Sequence, residues 1–122
     1  MGSSSGWIGV DLDGTLARYT GWRGETHIGE PIEAMVSRVK QWRSSGIDVR
    51  IFTARVADAA LNLDGSRHEV NAVVEAIQNW CMEHIGEVLP VTNRKDFAMV
   101  ELWDDRCVQV VPNTGRRADG QP

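Results

Sequence analysis

Trp7-Ile8-Gly9-Val10-Asp11-Leu12-Asp13-Gly14-Thr15 is the stretch whose reading decides the fold. Trp7 to Val10 is a short, uninterrupted apolar run, which predicts a buried strand ending at a polar turn. The acids begin where the strand stops. Two carboxylates one residue apart at that point repel each other and lose solvation unless something cationic neutralises them. A calcium loop also begins with Asp-x-Asp-Gly, but it continues with further oxygen ligands and a later Glu, whereas Thr15-Leu16-Ala17 supplies none. Magnesium, which takes one or two carboxylates, a carbonyl and a phosphate oxygen and keeps its waters, suits the pair better.

Outward from this stretch the same pattern repeats. From Pro31, apolar residues recur at Ile32, Met35, Val36, Val39 and Trp42 before Gly46, which predicts a helix with Pro31 in its first turn and Gly46 at its C-terminal cap. Ile47 to Phe52 is β-branched and runs into Thr53-Ala54-Arg55, a second strand ending at polar residues. After a loop containing Asn62, Asp64 and Gly65, a stripe from Val70 through Val73, Val74, Ile77, Trp80, Cys81 and Ile85 predicts a second helix, closed by Gly86. Val88 to Val91 is a short third strand at a sheet edge, because Pro90 cannot donate to a ladder. Met99 to Trp103, ending at Asp104-Asp105, is a fourth, and Val108 to Val111 a fifth.

Strands alternating with helices predict an α/β fold of Rossmann-like type: an open, mostly parallel sheet of about five strands flanked by helices. Ligands of such sheets bind beyond the carboxyl ends of the strands, where Asp11, Asp13, Thr53, Asp104 and Asp105 would gather. Residues 7–112 form one domain in this reading. Residues 1–6 are a flexible start or the remnant of a tag, and 113–122 a flexible tail.

Composition sets outer bounds. Of 122 residues, 42% are hydrophobic and 25% charged, an ordinary globular balance. A net charge of -4 disfavours a broad basic face for nucleic acid, so any polyanion must be gripped locally. No apolar run reaches the ~20 residues of a membrane span and no signal segment opens the chain, which points to a cytoplasmic protein without membrane contact. Cys81 and Cys107 are too few for a disulfide scaffold or a zinc site and are expected as free thiols.

Taken in order, Asp11-Leu12-Asp13-Gly14-Thr15, Thr53 at a strand end, Lys95 and Asp104-Asp105 resemble motifs I to IV of the haloacid dehalogenase (HAD) superfamily. The resemblance covers about Trp7 to Val111 and is specific only as a set. It implies a Mg²⁺-dependent phosphatase in which Asp11 is metal ligand and nucleophile, forming an aspartyl-phosphate, while Asp13 protonates the leaving oxygen and then activates water. Asp13 would reach the metal through its backbone carbonyl. Thr53 and Gly14 would contact the phosphoryl oxygens, Lys95 would hold Asp11 and offset transferred charge, and Asp104 or Asp105 would complete the metal shell.

The chain also looks like small capless phage HAD-like hydrolases and the phosphatase part of phage polynucleotide kinase/phosphatase enzymes, through Thr53-Ala54-Arg55, Lys95-Asp96 and Asp104-Asp105-Arg106. Arg55 would then be a second substrate ligand, with Asp96 orienting Lys95 or Arg55. Only residues 16–30 separate motif I from the first helix, so a full cap domain does not fit there. Arg18 to Gly24 would form a small flap, with Trp22 as a stacking surface or packed on the body, and Arg18 or Arg23 as phosphate contacts. The expected partner is a phosphorylated substrate, with a nucleotide or oligonucleotide end among the candidates. A polynucleotide 3′-phosphatase, a phosphotransferase and a non-catalytic phosphate-binding module stay open as alternatives.

Overall fold

The computed structural model describes residues 6–56 and 70–122, with Val70 described by its backbone alone. The loop expected around Asn62, Asp64 and Gly65 and the start at residues 1–5 lie outside the described residues. The elements in chain order are β1 (Trp7–Asp11), α1 (Glu33–Ser44), β2 (Asp48–Phe52), a 3₁₀ turn (Ala54–Val56), α2 (Val70–His84), β3 (Val91–Thr92) and β4 (Met99–Trp103). The four strands form one sheet in the order β3-β2-β1-β4, and every pairing is parallel. The fold is therefore α/β with a parallel sheet, and β1 lies inside it.

Alternation along the strands sorts their side chains. Ile8 and Val10 of β1 and Val49 and Ile51 of β2 share one face, since Ile8 pairs with Val49 and Val10 with Ile51. These four join Met35, Val36 and Val39 of α1 and Val73, Ile77 and Cys81 of α2 in a single buried cluster. Both helices thus cover the same face, as two right-handed crossovers advancing in one direction require. On the other face Trp7 is 1% exposed, with no helix over it among the described residues. Its indole donates to Asp96 at 2.8 Å, and the Arg50 guanidinium lies 4.5 Å from its ring centroid, itself paired with Asp48 at 3.0 Å. Gly9 leaves room here: a Cβ would stand 2.7 Å from Met99 Cε. The reading of a sheet flanked by helices is narrowed to helices on one face among the described residues.

α1 ends as its sequence requires. Gly46 has φ +80°, its N–H donates to the Arg43 carbonyl, and the Ile47 N–H donates to that of Trp42, which is the Schellman arrangement. Pro31 is not in the first turn of α1; it precedes the cap residue Ile32 and bridges to Ala17. Trp42 meets Trp103 of β4 edge-on at 5.2 Å, a contact worth about 1 kcal/mol beyond its buried area. β3 is shorter than the expected Val88 to Val91, but Pro90 borders it at the edge, where its carbonyl accepts from the Ile51 N–H at 2.8 Å. Val108 to Val111 does not join the sheet. Its valines are 40 to 50% exposed, and it is held instead by the segment expected as a loose tail: Val111 N–H donates to Arg116 and Ala118 N–H to Gln109. Without a layer to cover it, the run pairs with its own continuation rather than with β4. No described helix is long and apolar enough to cross a membrane.

Candidate active site

Parallel register brings the strand ends together. Val10 stands opposite Trp103 and Asp11 opposite Phe52, so Asp11, Thr53 and Asp104 leave neighbouring strands at one level. This is the carboxyl edge of the sheet, at the point where the strand order reverses: the chain adds β2 and β3 on one side of β1 and β4 on the other. A cavity of about 480 Å³ opens there, lined by Asp11, Asp13, Thr53, Arg55, Asp104 and Asp105, together with Tyr19, Trp22, Phe52, Arg106 and Cys107.

The turn after β1 sets the two acids. Leu12 and Leu16 are fully buried, and the Leu12 carbonyl accepts from the N–H groups of Leu16 (3.0 Å) and Ala17 (2.9 Å). With Leu12 anchored in the core, Asp11 and Asp13 on either side of it face the cavity. Gly14 has φ +90°, and a Cβ there would stand 2.5 Å from Asp105 Oδ2, so glycine permits both the turn and the close approach of Asp105.

Carboxylate oxygens of Asp11, Asp104 and Asp105 lie within 4.8 Å of one another. Burial raises the Asp11 carboxyl first, and a hydrogen bond with Asp105 and the charges of Asp104 and Asp105 raise it further, to about 7 from the usual 3.8; a backbone hydrogen bond from Leu12 opposes them. Asp105 also accepts from the Thr15 hydroxyl at 3.3 Å, and Asp104 accepts from the Arg106 N–H at 2.7 Å, which braces the loop in an Asx turn. Three hard oxygen donors with excess negative charge are a donor set that a divalent cation such as Mg²⁺ fits.

The Asp13 carboxylate is not in that group. Its two oxygens accept from Arg55 Nε and Nη2, both at 2.8 Å, in a forked ion pair whose arginine side chain is 5% exposed. Arg55 Nη1 donates to the Glu25 carbonyl at 2.8 Å, and its guanidinium lies 5.0 Å from the Trp22 ring centroid. Arg55 therefore ties the acid to the segment above the cavity. Thr53 is 2% exposed; its hydroxyl accepts from the Arg55 N–H at 3.1 Å and keeps its own proton to donate.

The stretch 18–30 contains the segment expected as a flap, Arg18 to Gly24, and puts Tyr19 and Trp22 on the cavity wall. Its two ends are joined by the Arg18 N–H to the Glu30 carbonyl, and its return limb is held by the Trp80 indole on the Gly29 carbonyl at 3.0 Å. Trp22 is 59% exposed, with one face toward Arg55. Arg23 does not line the main cavity but a second one beside it.

Lys95 is exposed in the loop after β3 and does not line the cavity. The neighbouring Asp96 serves the opposite face of the sheet through Trp7 and Arg50, not Lys95 or Arg55. Among the described residues, the cations lining the cavity are Arg55 and Arg106. Phe52 and Cys107 carry no site signal in sequence, whereas Tyr19 belongs to the expected flap and Arg106 to the Asp104-Asp105-Arg106 run, neither with a role of its own. Cys81 is buried and Cys107 exposed, both free thiols. No protein-family model, curated protein or solved structure matches the chain.

Proposed function

We propose that this chain is a cytoplasmic, Mg²⁺-dependent phosphomonoester hydrolase of the HAD type with a minimal cap, acting through an aspartyl-phosphate on Asp11. The observation that carries the reading is the convergence of Asp11, Asp13, Thr53, Asp104 and Asp105 on one cavity at the carboxyl edge of the sheet. Composition alone does not require five such residues to meet.

In this reading Asp11, Asp104 and Asp105, with the Asp13 backbone carbonyl, would hold the Mg²⁺ ion. When bound, that ion supplies charge neutralisation to the phosphoryl group and keeps Asp11 ionised. The Asp11 carboxylate attacks phosphorus, forming an Asp11 O–P bond as the ester P–O bond breaks. Asp13 delivers a proton to the leaving oxygen. Each of its oxygens has a lone pair outside the Arg55 fork, which is the position through which a proton can pass to or from the carboxylate. Asp13 then takes a proton from the water that attacks the aspartyl-phosphate, which releases phosphate and restores Asp11. Thr53 donates to a phosphoryl oxygen, and Arg55 fixes the direction of Asp13. Arg55 and Arg106 supply the positive charge for which Lys95 was the sequence candidate; Lys95 would have to swing in from its exposed loop to share it.

The test is phosphate release from a generic aryl phosphate. Purified protein should be inactivated by EDTA and restored by Mg²⁺, and Asp11→Asn, folded by circular dichroism, should retain less than about 1% of activity because an amide neither attacks phosphorus nor ligates Mg²⁺ well. Full activity without metal, or in the Asn variant, would refute the mechanism. A nucleotide or oligonucleotide end is the substrate that a specific observation favours: the cavity is open and has two exposed aromatic rings, Tyr19 and Trp22, on its wall.

A further inference from the structure

Behind the flap lies a second cavity of about 240 Å³, which shares Asp13, Tyr19 and Arg55 with the first. The two have opposite electrostatic character. Among the described residues, four aspartates and two arginines line the first, whereas Arg18, Arg23 and Arg55 outnumber Asp13 and Glu30 in the second, which His27 also lines. The Arg55 fork already neutralises Asp13 in that shared wall. Among the described residues, the side chains of Arg18, Arg23 and His27 make no hydrogen bond or ion pair, so their donors are available to a ligand. In a chain of net charge -4, two uncommitted arginines converging on one concavity beside an acidic site are a local exception.

We propose that this cavity is an anion subsite that takes a second, unreacting phosphate of the substrate. The inference rests on the phosphohydrolase reading and deepens it: the substrate carries one phosphate at Asp11 and another reaching past the Asp13–Arg55 wall. Guanidinium groups recognise phosphate oxygens in forked pairs, and Tyr19, common to both cavities, provides an apolar surface for what joins the two phosphates. The second group is a terminal monoester or an internucleotide diester, which offer the same oxygens. Arg18 and Arg23 belong to the flap, so a second phosphate held by them also draws the flap onto the substrate.

The experiment measures binding apart from turnover. Asp11→Asn protein with Mg²⁺ is titrated by calorimetry with a nucleoside 3′-monophosphate, a nucleoside 3′,5′-bisphosphate and a dinucleotide bearing a 3′-phosphate, and wild-type kcat/KM is measured on the same three. One or both two-phosphate ligands should bind about tenfold tighter than the monophosphate, the effect of one charge-assisted pair. Which of them gains identifies the monoester or the diester as the second group. Adding Arg18→Ala and Arg23→Ala should bring that ratio close to one, whereas Arg18→Lys with Arg23→Lys should preserve most of it; Arg18→Gln with Arg23→Gln serves if the alanine pair does not fold. Equal affinity for all three ligands, or a preference surviving loss of both arginines, overturns the subsite and leaves the phosphatase reading intact. Hydrolysis by wild type of none of them and of no aryl phosphate either, with the binding preference present, sinks the phosphatase reading and leaves the subsite standing.

Discussion

Gly14 shows how much one missing Cβ decides. Its φ of +90° is open to glycine at little cost, and the space its side chain would fill belongs to Asp105. Gly14→Ala should therefore act twice. Strain at a positive φ costs about 1 kcal/mol or more of stability, and the methyl group pushes Asp105 away from Asp11 and Asp104. If Asp105 helps to hold Mg²⁺, the concentration needed for half-maximal phosphate release should rise by roughly 10- to 100-fold, the range seen when a metal shell is disturbed. An unchanged Mg²⁺ requirement in a folded variant would remove Asp105 from the metal shell. Asp13 and Arg55 make the complementary case. The acid assigned to proton transfer is held by both oxygens in a buried fork, so its direction depends on a residue 42 positions away in sequence.

The flap is the element that separates the candidate substrates. It is held to the body by Arg55 on the Gly24 and Glu25 carbonyls, by Trp80 on the Gly29 carbonyl and by Ile28 against the core. Trp22 has one ring face toward Arg55 and most of its surface exposed. A base stacking on that surface should make a 3′-phosphorylated oligonucleotide a substrate at least comparable in kcat/KM to a mononucleotide. Trp22→Ala should then lower kcat/KM for the oligonucleotide by roughly 1–3 kcal/mol in transition-state stabilisation, the range for one stacked base. Should small sugar phosphates be hydrolysed well and oligonucleotides ignored, the flap is a lid for a metabolite and the polynucleotide reading falls.

Across the whole molecule, the acidic cluster makes stability depend on pH and on cations. The folded Asp11 carboxyl titrates at about 7 against 3.8 in the unfolded chain. Between those values the folded state binds more protons than the unfolded, so the Asp11 contribution to unfolding free energy falls as pH rises from about 4 to about 7 and stays low above. A divalent cation that binds only the folded site opposes this loss. Mg²⁺ should thus raise Tm more at pH 8 than at pH 5, read by thermal denaturation at fixed ionic strength, and Asp11→Asn should shrink the difference. An equal Mg²⁺ shift at both pH values would show that the cation binds elsewhere.

The parallel α/β sheet, both helices and the meeting of Asp11, Asp13, Thr53, Asp104 and Asp105 at one edge were legible in the sequence, because hydrophobic period and turn residues act locally and a parallel sheet collects its strand ends on one side. The fifth strand was not: Val108 to Val111 has strand composition, yet joining the sheet depends on a long-range pairing that composition does not specify. Likewise, sequence order set Lys95 beside Asp11 in the family pattern and left Arg55 as a substrate contact. Only the tertiary structure decided that Lys95 points to solvent while Arg55 closes on Asp13. A long charged side chain is directed by partners distant in sequence, and its own neighbours along the chain carry no record of them.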